Sequence, residues 1–294
     1  MATGITTITT NAKPYLTTAE YKAAPTAQQV SNLVVGGNEA AQDAELAMVI
    51  ERASGFIDEY LDQNLVATQR VETQRVRMTP QGYISLHPNC TPLIALVDFN
   101  YGSDPNNLIA LTDPSTAYFE NAQVIIPLST IFTNYSSQGP LGFGGASPTS
   151  QIFTKYTYVA GYANTVMAGA NAAATSITVT DGAGFVAGQR FQIIDGAKTE
   201  TVTIASNYTF GSTTLPLTTG LTYAHLAGAT VSNLPMNVKQ ACILLTSAFI
   251  RTRGDSALTM SVTQRPIGQT QGTEIYGSTI KMALSLIASY KRIR

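Results

Sequence analysis

The sequence predicts an α+β fold: a helical bundle formed by the N- and C-terminal helices with intervening strands, plus an inserted small all-β domain, a sandwich or a barrel. Three observations carry that expectation. An unbroken helical period runs from Asn38 to Leu65, a period of two governs most of the middle of the chain, and the helical period returns abruptly at Pro235. The implied organisation is a core of residues 1–164 and 234–294, interrupted by the insert 165–233.

The first stretch reads NEAAQDAELAMVIERASGFIDEYLDQNL, with Leu46, Ile50, Ala53, Ile57, Tyr60, Leu61 and Leu65 on one stripe. Asn38 follows Gly36-Gly37 as an N-cap, and Glu39, Asp43 and Glu45 bring negative charge to the positive end of the helix dipole. Glu51, Arg52, Asp58, Glu59 and Asp62 occupy the other faces. At 1.5 Å per residue the pattern spans roughly 40 Å, long enough for a spine or for a wall between subunits. Upstream, Thr17 or Thr18 caps a short helix with Glu20 in its first turn, and the rest of residues 1–37 reads as loop or arm.

From Val66 the alternation of Val71, Thr73, Arg75 and Arg77 with polar neighbours fits a half-exposed strand. Tyr83–Leu86 and Leu93–Phe99 continue the β pattern, and Leu108–Leu111 with Val124–Ile126 form a further pair around a turn-rich stretch. Residues 127–150 hold glycines at 139, 142, 144 and 145. They lack a following Lys-Ser/Thr pair, and Pro148 blocks an immediate helix, so this is a loop and not a phosphate cradle. Ile152–Val159 is a strong strand ending at Gly161-Tyr162.

Residues 165–233 are rich in Ala, Thr, Gly and Val and almost uncharged. Ser176–Thr180 leads to a turn at Asp181-Gly182, and Phe191–Ile194 leads through Asp195-Gly196 to a return strand Thr201–Ile204, the clearest hairpin signal in the chain. After Pro235, Val238, Ala241, Cys242, Leu245, Ala248 and Phe249 make an apolar stripe with Gly254 as a stop signal. Residues 259–277 read as an extended arm. A last helix starts near Ser278, carries Ile280, Ala283, Leu284 and Ile287 on one face, and ends in Tyr290-Lys291-Arg292-Ile293-Arg294.

Composition narrows the function. Charged residues are 12% of the chain, about half the usual quarter, while apolar residues are an ordinary 44%. A Thr-rich, charge-poor exterior fits a surface largely covered by neighbours. A net charge of −1 gives no field to attract nucleic acid or an anionic membrane. No run of apolar residues is long enough to span a bilayer, and the N-terminal sequence has neither the basic nor the apolar region of a secretory signal. Cys90 and Cys242 stand apart from any metal or redox motif and read as small buried residues in a reducing compartment.

Catalytic patterns are missing from the sequence. His87 and His225 are the only histidines and lie outside any metal-ligating spacing, and no nucleophile elbow or nucleotide-binding glycine pattern occurs. The expectation is a non-enzyme with no cofactor and no metal. The helix carboxylates Glu51, Asp58, Glu59 and Asp62 read as a solvated or subunit-facing surface, and Asp181 and Asp195 as turn residues. The terminal Lys291, Arg292 and Arg294 have two readings: they complement the last helix dipole, or with Tyr290 they form a basic tail that docks into a partner.

Three stretches together resemble the head–tail connector (head completion or adaptor) proteins of tailed bacteriophages. They are Tyr15–Tyr21 leading to Ile50-Glu51-Arg52-Ala53-Ser54-Gly55-Phe56-Ile57-Asp58-Glu59-Tyr60-Leu61, then Lys155–Tyr162 with Pro235–Ala241 following the insert, and finally Leu284 to Tyr290-Lys291-Arg292. The resemblance implies a dodecameric ring beneath a portal protein, with a neck or tail completion protein below and DNA passing through without sequence-specific contact. It also implies a place in the virion neck after assembly in the host cytoplasm. Glu51, Arg52, Asp58, Glu59 and Asp62 would form the subunit interface and Tyr290, Lys291, Arg292 and Arg294 the portal-docking tail. The insert departs from the pattern. The competing expectation is a phage or cell-surface adhesin whose insert binds carbohydrate, although Phe185, Phe191, Tyr208, Phe210 and Tyr223 read better as core or strand residues.

Overall fold

The computed structural model describes residues 7–8, 13–31, 33–77, 83–111, 113–120, 122–127, 151–251 and 272–292. It is α+β, with every strand pairing antiparallel. Its contacts divide into two compact units.

The first unit contains Thr7–Ile8, Ala67–Tyr162 and Ala183–Val186 among the described residues. Strands β1 (Thr7–Ile8), β2 (Thr68–Arg77), β3 (Tyr83–Leu86), β4 (Leu93–Asp104), β5 (Asn107–Ala110), β6 (Tyr118–Glu120), β7 (Gln123–Pro127) and β8 (Gln151–Ala160) form two sheets, in the orders β1-β2-β8-β4-β5 and β3-β7-β6. The β2–β8 ladder is in register over its whole length, from Thr68 opposite Ala160 to Arg77 opposite Gln151. The expected pairing of residues 108–111 with 124–126 does not form. β5 pairs with β4, while β7 pairs with β3 and β6. The alternation explains the choice: Val124 and Ile126 stand opposite Leu86 and Ile84, so all four bury one face together.

The phase of β2 differs from a simple apolar-inside rule. Thr68, Arg70, Glu72 and Val76 are the buried set, and the register places Arg70 opposite Tyr158 and Glu72 opposite Tyr156. Glu72 is fully buried and accepts from Tyr156 Oη at 3.0 Å, Tyr158 Oη at 2.5 Å and the Asn89 amide at 3.1 Å. Burial first, and then the Glu72 charge, push both tyrosine hydroxyls well above their ordinary pKa, so they remain donors. A carboxylate surrounded by donors is how a charge is tolerated in a core of Phe99, Tyr101, Ile152 and Ile84.

In the second unit, α1 (Thr18–Ala23) carries a complete capping box: Glu20 N donates to Thr17 Oγ1 at 3.2 Å and Thr17 N to Glu20 Oε2 at 2.9 Å. Helix α2 (Glu39–Leu61) starts at Asn38, whose Oδ1 accepts from Ala41 N at 2.9 Å, and stops at Asp62 in the left-handed conformation, φ 56°. Leu46, Ile50, Ala53, Ile57 and Leu61 are buried as their spacing requires. Helix α3 (Met236–Arg251) follows Pro235 and touches both α2 and α4 (Gly272–Ile287). It is buried beyond its apolar stripe: Ile243, Leu244, Thr246 and Ser247 on other faces are also covered.

α4 begins at Gly272, six residues before the expected Ser278. Gly272 and Gly277, poor helix formers, hide its start in the sequence. Of the expected arm 259–277, residues 259–271 lie outside the described set, as do Gly254 and the loop 128–150.

The same unit holds β9 (Asn164–Val166), β10 (Ser176–Thr178), β11 (Arg190–Ile194), β12 (Glu200–Thr203), β13 (Thr214–Pro216) and β14 (Thr230–Ser232). Their order is β12-β11-β14-β9, with β10 and β13 paired separately. β11 and β12 form the hairpin the sequence signals, with Gly196 at φ 55°. Asp181-Gly182 closes no hairpin of its own. A Cβ on Gly182 would sit 2.2 Å from the Ser212 carbonyl oxygen, so this glycine answers to a close backbone approach.

Glu72→Gln should lower unfolding free energy by about 2 kcal/mol, because one amide cannot accept from three donors in a dry site. Urea denaturation followed by circular dichroism measures it, and an unchanged midpoint would contradict the donor-saturated reading.

Candidate functional site

The long helix, the N-terminal segment before it and the chain's last residues meet in the second unit. Tyr15 is fully buried, and its backbone N–H donates to Ser54 Oγ at 3.1 Å. Its hydroxyl donates to the Asp58 carboxylate and accepts from Leu65 N at 3.0 Å. Burial, reinforced by the Asp58 charge, raises the phenol pKa and keeps the proton in place. Tyr21 reaches Ser247 on α3 at 2.9 Å. At the far end of α2, Arg292 N donates to Leu61 O at 3.1 Å, Gln63 Nε2 donates to Tyr290 O at 2.7 Å, and the Lys291 ammonium lies 4.8 Å from the Tyr60 ring centre. The basic tail thus sits on the negative end of α2, not only of its own helix. Arg294 lies outside the described residues.

The residues expected at a subunit interface separate into two groups. Glu51, Arg52 and Glu59 lie on the outward stripe of α2, with Ala44, Ala47, Met48, Gly55 and Phe56 also exposed along it. Asp58 is half-buried and engaged by Tyr15, whereas Asp62 is exposed and caps the helix. Met48 is 59% exposed, and Phe56, 36% exposed, stacks edge-on against Phe249 at 6.0 Å. The stripe is more apolar than the expected charges suggested. The helical period puts Asp58 at the flank of the buried stripe and Glu59 opposite it, but nothing in the spacing says that Tyr15 engages Asp58.

Sequence reasoning also missed a clamp in the β part of this unit. His225 is buried, with Nδ1 at 3.1 Å from Asp195 Oδ2 and Nε2 at 2.8 Å from Glu200 Oε1. Glu200 also accepts from the amides of Thr222 at 2.9 Å and Tyr223 at 3.1 Å. Burial pushes the Glu200 carboxyl up, but these hydrogen bonds outweigh it and hold it below the usual range. The pinned segment leaves Tyr223 44% and Leu226 75% exposed, and Phe210 is 41% exposed, while Phe185, Phe191 and Tyr208 are buried as core residues.

No group of three or more His, Cys, Asp or Glu residues able to hold a metal occurs among the described residues, and no described helix is long and apolar enough to cross a membrane. Cys90 and Cys242 are both buried and in no disulfide, and burial pushes the Cys242 thiol up to about 12.

No protein-family model matches the chain, and no curated protein matches it. Among solved structures, a chain from the neck of an empty GTA particle is similar at 13% identity and a TM-score of 0.39, over 99% of this chain and 96% of that one.

Tyr15→Phe should cost about 1.5–3 kcal/mol, the range for a hydrogen bond to a charged group, as read by thermal or urea unfolding. For Glu200, the folded pKa lies below the unfolded one, so its contribution is present above the unfolded value and disappears as pH falls through the folded value. The wild type should therefore lose stability on acidification below about pH 4.3, and Glu200→Gln should flatten that limb of the pH–stability curve.

Proposed function

We propose that the protein is a structural component of a tailed-phage neck: a head–tail connector that forms a ring beneath the portal and extends the DNA channel. The observation that carries this reading is the meeting of the connector-like stretches. Tyr15, the Ile50–Leu61 segment of α2 and Tyr290–Arg292 hold one another through the bonds described above, and Tyr21 reaches Ser247 on α3. Residues from the first and last of the connector-like stretches thus meet in the second unit, whereas Lys155–Tyr162 belongs to the first.

The exposed Met48, Phe56, Glu51, Arg52 and Glu59 on α2 supply a mixed apolar and charged stripe suited to contact with an adjacent identical subunit. A near-neutral chain suits a conduit, since many phosphate-neutralising cations would retard DNA. In this reading the ring is dodecameric, residues 165–233 are an insert on the connector core, and a completion protein binds below. Lys291 and Arg292 reach the portal as part of the surface at the end of α2. The pinned Tyr223 loop favours a second reading, in which the β part binds carbohydrate as an adhesin does.

Mixing the purified protein with a portal ring and imaging by negative stain tests the first reading. Annular densities on the portal are expected, and Met48→Glu with Arg52→Glu should reduce their number at least tenfold. A subunit that stays solitary beside the portal contradicts the proposal, and specific retention on a glycan array would favour the adhesin.

A further inference from the structure

Lys239 is an unusual residue to find in the middle of a core. It is 2% exposed, on the first turn of α3, and its Nζ lies 2.6 Å from Glu20 Oε1, 3.1 Å from Asn164 Oδ1 and 3.5 Å from Tyr15 O. The bland account is a satisfied ion pair, since three acceptors suit an ammonium group. The identity and orientation of the partners go further. The amine lies within hydrogen-bond distance of both a carboxamide carbonyl and a carboxylate, in a site where the Lys239 and Glu20 side chains are 3% and 8% exposed.

We propose that Lys239 and Asn164 form an intramolecular isopeptide bond, with Glu20 as the proton carrier. The Asn164 carboxamide is held in one orientation because its Nδ2 donates to Pro14 O at 3.0 Å and Tyr15 O at 3.3 Å. That turns its carbonyl toward Lys239, whose nitrogen lies 3.1 Å from Oδ1, the oxygen bonded to the carbon it attacks. Glu20 is fixed as well: its other oxygen, Oε2, accepts from Thr17 N at 2.9 Å and Thr17 Oγ1 at 3.3 Å.

The reaction balances without any co-reactant. Glu20, whose Oε1 lies 2.6 Å from the amine, takes a proton from the Lys239 ammonium. The freed nitrogen lone pair attacks Asn164 Cγ, and the carbonyl electrons move to Oδ1. Collapse of that tetrahedral centre expels the carboxamide nitrogen, which takes one proton from Glu20 and one released by the attacking nitrogen and leaves as an ammonium ion. The products are an amide joining Lys239 Nζ to Asn164 Cγ, one ammonium ion and a regenerated Glu20 carboxylate. Asn164 is half-buried, so ammonia has a way out while the amine stays dry.

Intact-protein mass spectrometry of the full chain in denaturant is the test. The expected result is a loss of about 17 Da, one ammonia, with tandem spectra of a tryptic digest joining the Lys239 and Asn164 peptides. Lys239→Met should keep its full mass. Glu20→Gln, checked for folding by circular dichroism, should convert at least tenfold more slowly. A wild-type chain that retains its full sequence mass after prolonged incubation overturns the proposal. So does a loss of ammonia without joined peptides, which would mark succinimide formation at an asparagine instead. A Glu20→Gln chain that converts at the wild-type rate removes Glu20 from the reaction.

Discussion

A buried phenol must satisfy its hydroxyl as donor and as acceptor, and Tyr15 does both on one helix and its exit. It donates to Asp58, inside α2, and accepts from Leu65 N, just beyond the helix end. Because the Tyr15 amide also holds Ser54, a single residue fixes the N-terminal segment against α2 over more than two turns. The position of α1 and its capping box follows from that anchor, and so does the approach of Glu20 to Lys239 on α3. Remove the anchor and Asp58 becomes a half-buried charge with one donor fewer.

The second unit thus brings its helices together through polar groups as much as apolar ones. α3 is covered almost all round, as a hydrophobic helix should be, yet Lys239, Thr246 and Ser247 are among its buried residues. The first unit repeats the device with Glu72 amid two tyrosines. A chain with few charges places several of them inside, where hydrogen-bond direction selects one arrangement among many equally greasy ones.

Much of the fold was readable in the sequence because local rules act alone there. The cap at Asn38, the Thr17–Glu20 box, the stripe of α2, the Asp195-Gly196 hairpin and the start of α3 after Pro235 each follow from neighbours in sequence. What sequence hid depended on distant partners. The pairing of 108–111 and 124–126 with other strands was decided by Ile84 and Leu86, and the role of Gly182 by Ser212. At the candidate site, Glu51, Arg52 and Glu59 sat where spacing put them. Asp58 was drawn in by Tyr15, some forty positions earlier, and the His225 clamp needed the β11–β12 hairpin and the His225 loop to come together before it existed.

Cys242 illustrates how a buried group can stop reporting on its surroundings. With its thiol pushed up to about 12 by burial, the sulfur stays protonated at neutral pH. Burial is the cause, and the hydrogen bond with Ser54, 3.7 Å from the sulfur, only partly opposes it. A buried, protonated thiol is a poor target for oxidants, so this sulfur tends to keep the state in which it was made. The scarcity of cysteines is therefore mute on habitat, and a free thiol survives here through inaccessibility alone.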